Sequence, residues 1–365
     1  MKKILLFYFK VLCIAILLLM FLCKFSLLSV LAGKNDEFLP DSDRTATLFY
    51  YLPEDTVDIL FLGDSHSYCT YISQDIFNQT GITSASLATS SNSIINQYWQ
   101  LKEAFKKQKI KMVVLETHPL ELAGDNEPAD IYLHFTSGIS VIPDYSINKI
   151  RNYMDMNEHP YGISNEITLF DVFNITRYSE DLNRDYKKII KDSYHLLTNP
   201  SSQYTTFGYY PTIENKPLEK KYTTYDNNSK YYDFTNTLEY EYLLKIYELC
   251  KSNGSELILS RTIYFANNDF HYFNDQIDKW AENNNISLID YFKLIDECNF
   301  DFKTDFRDEQ HFNYLGAKKA TNYFINYLKK KNITGNYDPI KCKLWEENNF
   351  DYNRIEKEML ESITS

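Results

Sequence analysis

The sequence has no surplus of positive charge. It contains 38 lysine and arginine residues against 50 aspartate and glutamate residues, for a formal net charge of −12. Proteins that bind nucleic acid normally present a basic face, so this balance argues against nucleic acid as a partner. The six cysteines show no CxxC spacing, which excludes the zinc and redox motifs built on it. No internal repeat is present either.

The chain is long and rich in apolar residues. It has 365 residues, of which 44% are hydrophobic and 16% are aromatic. This is enough to bury the core of one elaborated domain and to leave appended segments outside it.

Residues 1–33 have the pattern of a membrane segment. Between Ile4 and Ala32 the only charged residues are Lys10 and Lys24, so a helix can span the bilayer if both lysines reach toward the interfaces. The lysine pair at the start favours an N-terminus inside the cell membrane and the remaining chain outside. A cleaved signal peptide is the alternative, and it also exports the protein. Outside the cell, the cysteines after this segment can form one disulfide or stay as free buried thiols.

The remaining chain alternates strands and helices, which predicts a parallel sheet with right-handed crossovers. We predict a linker over 34–55, an α/β domain over 56–332 with an insertion at about 121–235, and a charged tail with one short helix over 333–365. The domain is a three-layer sandwich around a parallel sheet of about five strands. These strands are predicted at 57–62, 83–88, 111–115, 256–260 and 286–291, and the main helices at 93–109, 237–253, 270–282 and 314–330.

The stretch FLGDSHSYC holds Ser65 just beyond the first predicted strand, where ligands bind in parallel sheets. Gly63 gives the backbone room for a tight turn there. A serine hydroxyl is a weak nucleophile at neutral pH, so Ser65 needs a base. His311 is the best candidate, because Asp308 lies three residues before it in DFRDEQH and can orient its ring. Asp305 in the same loop is the alternative carboxylate.

The GDS sequence that ends in Ser65, together with the D-x-x-H sequence from Asp308 to His311, resembles the SGNH (GDSL-type) hydrolase family. The apolar residue, the glycine and the helix after the histidine fit this family too. The resemblance covers roughly residues 56–118 and 237–330. It implies a flavodoxin-like fold with Ser65 as nucleophile, His311 as general base and Asp308 as the orienting carboxylate, and no cofactor.

The resemblance also implies an oxyanion hole, in which the family usually combines the serine N–H with a glycine and an asparagine. Here Thr89 takes the glycine position and Leu120 stands about where asparagine would. The expected hole therefore consists of the backbone N–H groups of Ser65 and Thr89. Loss of one donor commonly costs on the order of 100-fold or more in rate, so fast hydrolysis of generic esters is not expected.

The N-terminal segment and the long insertion make the chain similar to one branch of this family, the membrane-anchored SGNH-like proteins of surface polymer acylation. The D-alanyl transfer proteins of lipoteichoic acid synthesis share this architecture. The resemblance implies an esterase or O-acyltransferase acting on a cell-surface glycopolymer, beside a membrane-bound O-acyltransferase partner. The alternative is a partner or carbohydrate-binding scaffold that has the fold without turnover.

Two further histidines lie near the predicted site. His66 follows Ser65, and His118 follows the third predicted strand, so both are candidates for substrate contact. Asp64-x-His66 also resembles the first ligands of a metallophosphoesterase, which needs later GDxxD and GNH motifs for a two-metal site. The chain has Gly124-Asp125 but carries Pro128 where the second aspartate belongs, and no GNH follows. The sequence therefore predicts no metal.

Overall fold

The computed structural model describes residues 2–32, 42–121, 138–139, 141–158, 168, 172–173, 206–219, 233–264, 273–335 and 338–364. Most of the predicted insertion at 121–235 lies outside the described residues. Its described helix, Ile147–Glu158, packs against the core, because Asp155 accepts hydrogen bonds from Trp99 Nε1 at 2.7 Å and from the Tyr242 hydroxyl at 2.8 Å.

The described core is an α/β fold around a parallel five-stranded sheet, as predicted. The strands follow the order β2-β1-β3-β4-β5, and every neighbouring pair is parallel. Their bounds are β1 (Ile59–Leu62), β2 (Ser84–Ser86), β3 (Met112–Glu116), β4 (Glu256–Arg261) and β5 (Ser287–Asp290). The strand order changes direction at β1, and its neighbour β3 ends at the same edge of the sheet. That edge is where such folds bind ligands.

Helices connect the strands and flank the sheet. Those described are α1 (Lys2–Ala32), α2 (Ser42–Phe49), α3 (Ser65–Tyr68), α4 (Ser73–Thr80), α5 (Ile94–Ala104), α6 (His118–Glu121), α7 (Ile147–Glu158), α8 (Leu238–Ser252), α9 (Asn274–Asn283), α10 (Ile295–Cys298), α11 (Tyr314–Lys330) and α12 (Pro339–Thr364). The predicted helices at 93–109, 237–253, 270–282 and 314–330 correspond to α5, α8, α9 and α11.

Alternation along β1 divides the core between the two faces of the sheet. Leu60 and Leu62 belong to one hydrophobic cluster, which includes side chains of α5, α8 and α9. Ile59 and Phe61 belong to the other, which includes side chains of α4 and α11. Successive side chains of a strand point to opposite faces, so the arrangement is compatible with the predicted three-layer sandwich.

The predicted linker at 34–55 is corrected by the structure in its second half. Helix α2 occupies Ser42–Phe49, and Ala46, Leu48, Phe49 and Leu52 are buried in the first hydrophobic cluster. This segment therefore forms part of the core. Residues 33–41 lie outside the described residues.

The predicted charged tail at 333–365 is also corrected, because it contains the 26-residue helix α12. Trp345, Tyr352 and Met359 are buried, and their spacing of seven residues places them along one helical face. The Trp345 ring stacks on Phe207 with 4.4 Å between ring centroids. Many of its charged residues are exposed, among them Lys343, Glu346, Glu347, Arg354 and Lys357, which is why composition alone suggested a solvated tail.

The predicted membrane anchor at 1–33 coincides with α1. Within the part of the chain that the structure describes, no helix is both long and apolar enough to cross a membrane. The structure thus gives the anchor no support, and the single-pass location stays a prediction. The described thiols Cys13, Cys69, Cys250, Cys298 and Cys342 are all free.

Helix α12 is tied to the sheet by a buried carboxylate. Asp58, just before β1, is 2.5 Å from Lys341 Nζ on α12 and 2.9 Å from Lys111 Nζ. Burial alone would raise the pKa of Asp58, but the hydrogen bonds and charges of the two lysines outweigh it and lower the pKa. A carboxyl with a lowered pKa stabilises the fold above its unfolded-state pKa and loses that contribution as the pH falls.

We therefore expect Lys341→Met to lower the free energy of unfolding by about 1–2 kcal/mol at pH 7. The deficit should shrink as the pH falls below about 4, where Asp58 is protonated first in the unfolded chain and then, at lower pH, in the folded protein. Thermal unfolding at pH 7 and at a pH below about 4 measures the deficit. Lys343→Met, an exposed lysine on the same helix, is the matched control and should change little. An equal loss in both variants, or a deficit independent of pH, would contradict the assignment.

Candidate active site

The turn after β1 presents Ser65 at the carboxyl edge of the sheet. Gly63 has φ +151°, and a Cβ atom there would lie 2.6 Å from Glu116 Cβ and 2.8 Å from Ser67 Cβ. Only glycine fits this approach to β3. Asp64 then caps the short helix α3 by accepting a hydrogen bond from the His66 N–H at 3.0 Å. Asp64 therefore shapes the turn that carries Ser65.

An asparagine from the next connection holds the same turn. Asn92 Nδ2 donates to the Gly63 carbonyl at 3.1 Å and to Gln100 Oε1 at 3.0 Å. Asn92 was not predicted as part of the site, because nothing in the sequence TSSNS indicates that its side chain contacts the residues after β1. Its contacts fix the backbone from which Ser65 projects.

The loop before α11 brings His311 to Ser65. His311 Nε2 lies 2.7 Å from Ser65 Oγ, and His311 Nδ1 lies 2.8 Å from Asp308 Oδ1 and 3.0 Å from Asp308 Oδ2. These three side chains thus form a continuous Ser–His–Asp hydrogen-bonded chain. Each distance is within the range in which a proton can be shared or transferred.

Asp308 is positioned to accept a hydrogen bond from His311 Nδ1–H. Asp308 Oδ1 also accepts from the backbone N–H groups of Gln310 at 2.8 Å and His311 at 2.9 Å, and Arg307 Nε donates to Oδ2 at 2.9 Å. Burial raises the pKa of Asp308, but the hydrogen bonds and charges of His311 and Arg307 outweigh it and hold the pKa well below its usual range. Arg307 was missed, although its position beside Asp308 in the sequence is a usable signal.

Asp305, the alternative carboxylate, has a different role. It is fully buried, and its Oδ2 accepts from the Asp301 N–H at 2.7 Å and from Lys319 Nζ at 2.6 Å. A backbone bridge between Phe306 and Phe312 closes the loop around the triad carboxylate. Asp305 therefore anchors the loop, and Asp308 is the carboxylate at His311.

A described segment of the insertion joins both halves of the site. Within residues 206–219, the Tyr210 N–H donates to the Tyr68 carbonyl at 2.9 Å, on the Ser65 side. The Thr212 carbonyl accepts from the Tyr314 N–H at 2.9 Å, on the His311 side. These bonds tie α3 to the start of α11 and so restrict the separation of Ser65 and His311.

A second group of polar side chains lies directly beside the triad. Asp64 Oδ1 is 3.1 Å from His66 Nδ1, and Asp64 Oδ2 is 2.5 Å from His118 Nδ1. The ring centroid of His66 is 3.9 Å from that of His118 and 5.1 Å from that of His311. Adjacent parallel strands bring these residues together, since Asp64 follows β1 and His118 follows β3.

The pKa values of the two histidines in this group are shifted in opposite directions. Burial and the nearby His118 lower the pKa of His66 to about 4, although Asp64 opposes this. Burial also acts to lower the pKa of His118, but the Asp64 carboxylate outweighs it and raises the pKa. His66 is therefore neutral at pH 7, and its side chain is only 1% exposed, which argues against the predicted substrate contact. His118 keeps 15% of its side chain exposed, and its predicted substrate contact stays a prediction.

Below the serine turn lies a carboxyl that the sequence analysis also missed. Glu116 ends β3, and burial raises its pKa to about 8. It accepts hydrogen bonds from Thr262 Oγ1 at 2.6 Å, from the Thr262 N–H at 3.1 Å and from Ser260 Oγ at 3.3 Å. In the sequence KMVVLETHP, Glu116 looks like an ordinary residue at the end of a strand. Its position against Gly63 becomes visible only in the fold.

The predicted oxyanion residues are placed as follows. Thr89 is fully buried, and its hydroxyl has no hydrogen-bond partner among the described residues. Leu120, where the family has asparagine, is fully buried in the first hydrophobic cluster on α6 and offers no side-chain donor. An oxyanion hole here rests on backbone N–H groups, with Ser65 and Thr89 as the predicted pair.

Comparison with models of known protein families and with curated proteins finds no match for this chain. The site is therefore interpreted from its own geometry and from the resemblance of its two motifs.

Proposed function

We propose that this chain is a serine esterase or O-acyltransferase that uses Ser65, His311 and Asp308. The observation that carries the proposal is the 2.7 Å separation of His311 Nε2 and Ser65 Oγ, with Asp308 on the other ring nitrogen. This is the arrangement that activates a serine hydroxyl on several unrelated folds.

In the first half-reaction, Ser65 Oγ attacks the carbonyl carbon of an acyl ester while its proton passes to His311 Nε2. Asp308 accepts the Nδ1–H bond and stabilises the imidazolium. The backbone N–H groups of the oxyanion hole stabilise the negative oxygen of the tetrahedral intermediate. Its collapse breaks the ester C–O bond, and His311 returns the proton to the departing alcohol. An acyl group remains on Ser65.

In the second half-reaction, His311 removes a proton from an acceptor hydroxyl, which attacks the acyl-serine. The bond between the acyl carbon and Ser65 Oγ then breaks, and His311 returns the proton to Ser65 Oγ. If the acceptor is water the result is hydrolysis, and if it is an alcohol the result is transfer. The resemblance to proteins of surface polymer acylation supports an exported glycopolymer as donor or acceptor. It also supports a membrane-bound O-acyltransferase as partner and the segment 1–33 as anchor.

A second candidate function is a scaffold with this fold and no turnover. The specific observation in its favour is Leu120, whose buried side chain replaces the donor that the family usually supplies. A scaffold has no need of an activated serine, so the two candidates differ in the reactivity of Ser65.

Labelling by a fluorophosphonate probe distinguishes them, because the probe forms a covalent adduct only with an activated serine hydroxyl. We expect the full-length protein to be labelled and Ser65→Ala to be unlabelled. Ser252→Ala is the matched control, since Ser252 is exposed at the end of α8 and outside the triad. A wild-type protein that resists the probe while folded would favour the scaffold, and labelling that persists in Ser65→Ala would remove Ser65 as nucleophile.

A further inference from the structure

The side chains beside the nucleophile include the donors that a transition-metal ion takes. Asp64, His66 and His118 each offer one ligand atom, and these three atoms lie within 4.8 Å of one another. The triad does not use any of them, because His311 and Asp308 complete it. We propose that Asp64, His66 and His118 form a binding site for a divalent ion of the zinc class, separate in its ligands from the Ser65 triad.

The donor set selects the class of ion. Two imidazole nitrogens and one carboxylate oxygen match the three protein ligands of zinc sites that keep a fourth position open. Calcium and magnesium prefer oxygen ligands throughout, so the two histidines argue against them. Cobalt binds such sites in a similar way and serves as a spectroscopic probe.

The geometry is close to what an ion needs. Zinc bonds to nitrogen and oxygen are about 2.0–2.2 Å long, so two ligand atoms of one tetrahedral ion are about 3.3 Å apart. Asp64 Oδ1 and His66 Nδ1 are already 3.1 Å apart, and Asp64 Oδ2 and His118 Nδ1 are 2.5 Å apart. All three ligand atoms lie within 4.8 Å of one another, so small side-chain movements bring one Asp64 oxygen and the two imidazole nitrogens onto one ion.

The surroundings hold these ligands in place. The ring of Tyr264 packs against both imidazoles, with centroids 5.2 Å from His66 and 4.9 Å from His118. Asp64 is fixed by the His66 N–H at 3.0 Å. The Nδ1 atoms of both imidazoles face the Asp64 carboxylate, so the three ligand atoms converge on one place. The 15% exposure of His118 leaves a route for an ion to enter.

An ion bound there lies next to the nucleophile, since Asp64 and His66 are the chain neighbours of Ser65. The proposal concerns binding only and does not depend on the proposed esterase function. No metal was predicted here from the sequence, because the GDxxD and GNH motifs of a two-metal site are absent. A site for one ion does not need those motifs, because His118 supplies the third ligand. Only the pairing of β1 with β3 brings His118 to Asp64.

The test is titration of the full-length, chelator-stripped protein with Co²⁺ and with Zn²⁺. We expect one Co²⁺ per chain, with the visible absorption of a tetrahedral site. Asp64→Asn and His118→Gln keep side-chain volume and hydrogen bonding, and each should weaken binding by about tenfold or more. Ser65→Ala should lose probe labelling and bind Co²⁺ as the wild type does, so the two proposals fail separately.

Absence of stoichiometric binding in the folded wild type, or binding that both Asp64→Asn and His118→Gln leave unchanged, would overturn the site. X-ray absorption of the zinc-loaded wild type gives the result without any variant. Two imidazoles and oxygen at about 2.0–2.2 Å support the proposal. A coordination sphere with fewer than two imidazoles, or with sulfur, contradicts it.

Discussion

A His311→Ala variant is expected to react with a fluorophosphonate probe on the order of 10⁴-fold more slowly than the wild type. In the proposed mechanism His311 Nε2, which lies 2.7 Å from Ser65 Oγ, accepts the serine proton, and without it the hydroxyl must react in its protonated form. The second-order rate constant of labelling, followed by intact mass, measures the loss.

Two further measurements separate a lost base from a damaged fold. His311→Gln keeps volume and a hydrogen bond to Ser65 but cannot accept the proton at neutral pH, so its loss should be of the same order. Added imidazole should partly restore labelling of His311→Ala and should not restore Ser65→Ala. A His311→Gln variant that labels at nearly the wild-type rate would remove His311 as the base.

The second large effect is expected for Asp308→Asn, with labelling slower by on the order of 10³–10⁴-fold. Asparagine has the same shape, and its oxygen can still accept from the backbone N–H groups of Gln310 and His311. Its amide nitrogen, however, donates and favours the tautomer with the proton on His311 Nε2. That tautomer points a proton at Ser65 Oγ and cannot serve as base. The labelling rate and the unfolding temperature are measured together.

Asp301→Asn provides the matched control for this variant. Asp301 is an exposed carboxylate in the same loop, where its Oδ1 accepts from the Lys303 N–H at 2.9 Å. Its replacement should leave the labelling rate within about twofold of wild type, because surface changes of this kind are usually small. Equal rates for Asp308→Asn and Asp301→Asn would show that the Asp308 charge has no part in activating Ser65.

The strands and the grouping of Ser65, His311 and Asp308 can be predicted from sequence, because apolar runs mark the strands and short motifs mark the three residues. The apolar runs at β1 and β3 identify strands, and parallel topology then places every strand end at one edge. Ser65 follows the first strand and His311 precedes the last helix, so topology alone brings them to the same edge. Asp308 follows from its spacing to His311.

Most of what was missed depends on contacts between distant segments, whereas Arg307 is the sequence neighbour of Asp308. The contact of His118 with Asp64 requires that β3 lie next to β1, which strand prediction does not provide. Glu116 is recognisable as a support of the serine turn only from the 2.6 Å approach that a Cβ on Gly63 would make. Asn92 reaches β1 across the β2 connection.

The predictions of a linker at 34–55 and a tail at 333–365 were wrong for the same reason, because both relied on the polar and charged composition of the segment. Helix α12 carries many charges, and its buried residues Trp345, Tyr352 and Met359 are spaced at seven, a signal that its charge content obscured. Helix α2 begins within a polar stretch and buries only a few apolar residues. In both cases tertiary packing stabilises a helix that composition does not favour.

The oxyanion hole determines how active the site is. The triad geometry supports an activated Ser65, whereas Leu120 leaves stabilisation of the tetrahedral intermediate to backbone N–H groups. Such a site is expected to acylate readily with a reactive probe and to turn over generic esters slowly. Under the proposed function, specific binding of a natural donor or acceptor would supply the missing stabilisation.

The most direct test of the triad is to map the fluorophosphonate adduct by peptide mass spectrometry of the full-length protein. We predict one phosphonyl group per chain on the peptide that contains Ser65, the same adduct in Ser252→Ala, and none in Ser65→Ala. An adduct on another residue, or a folded wild-type protein that gains no phosphonyl group, would contradict the assignment of Ser65 as the activated nucleophile.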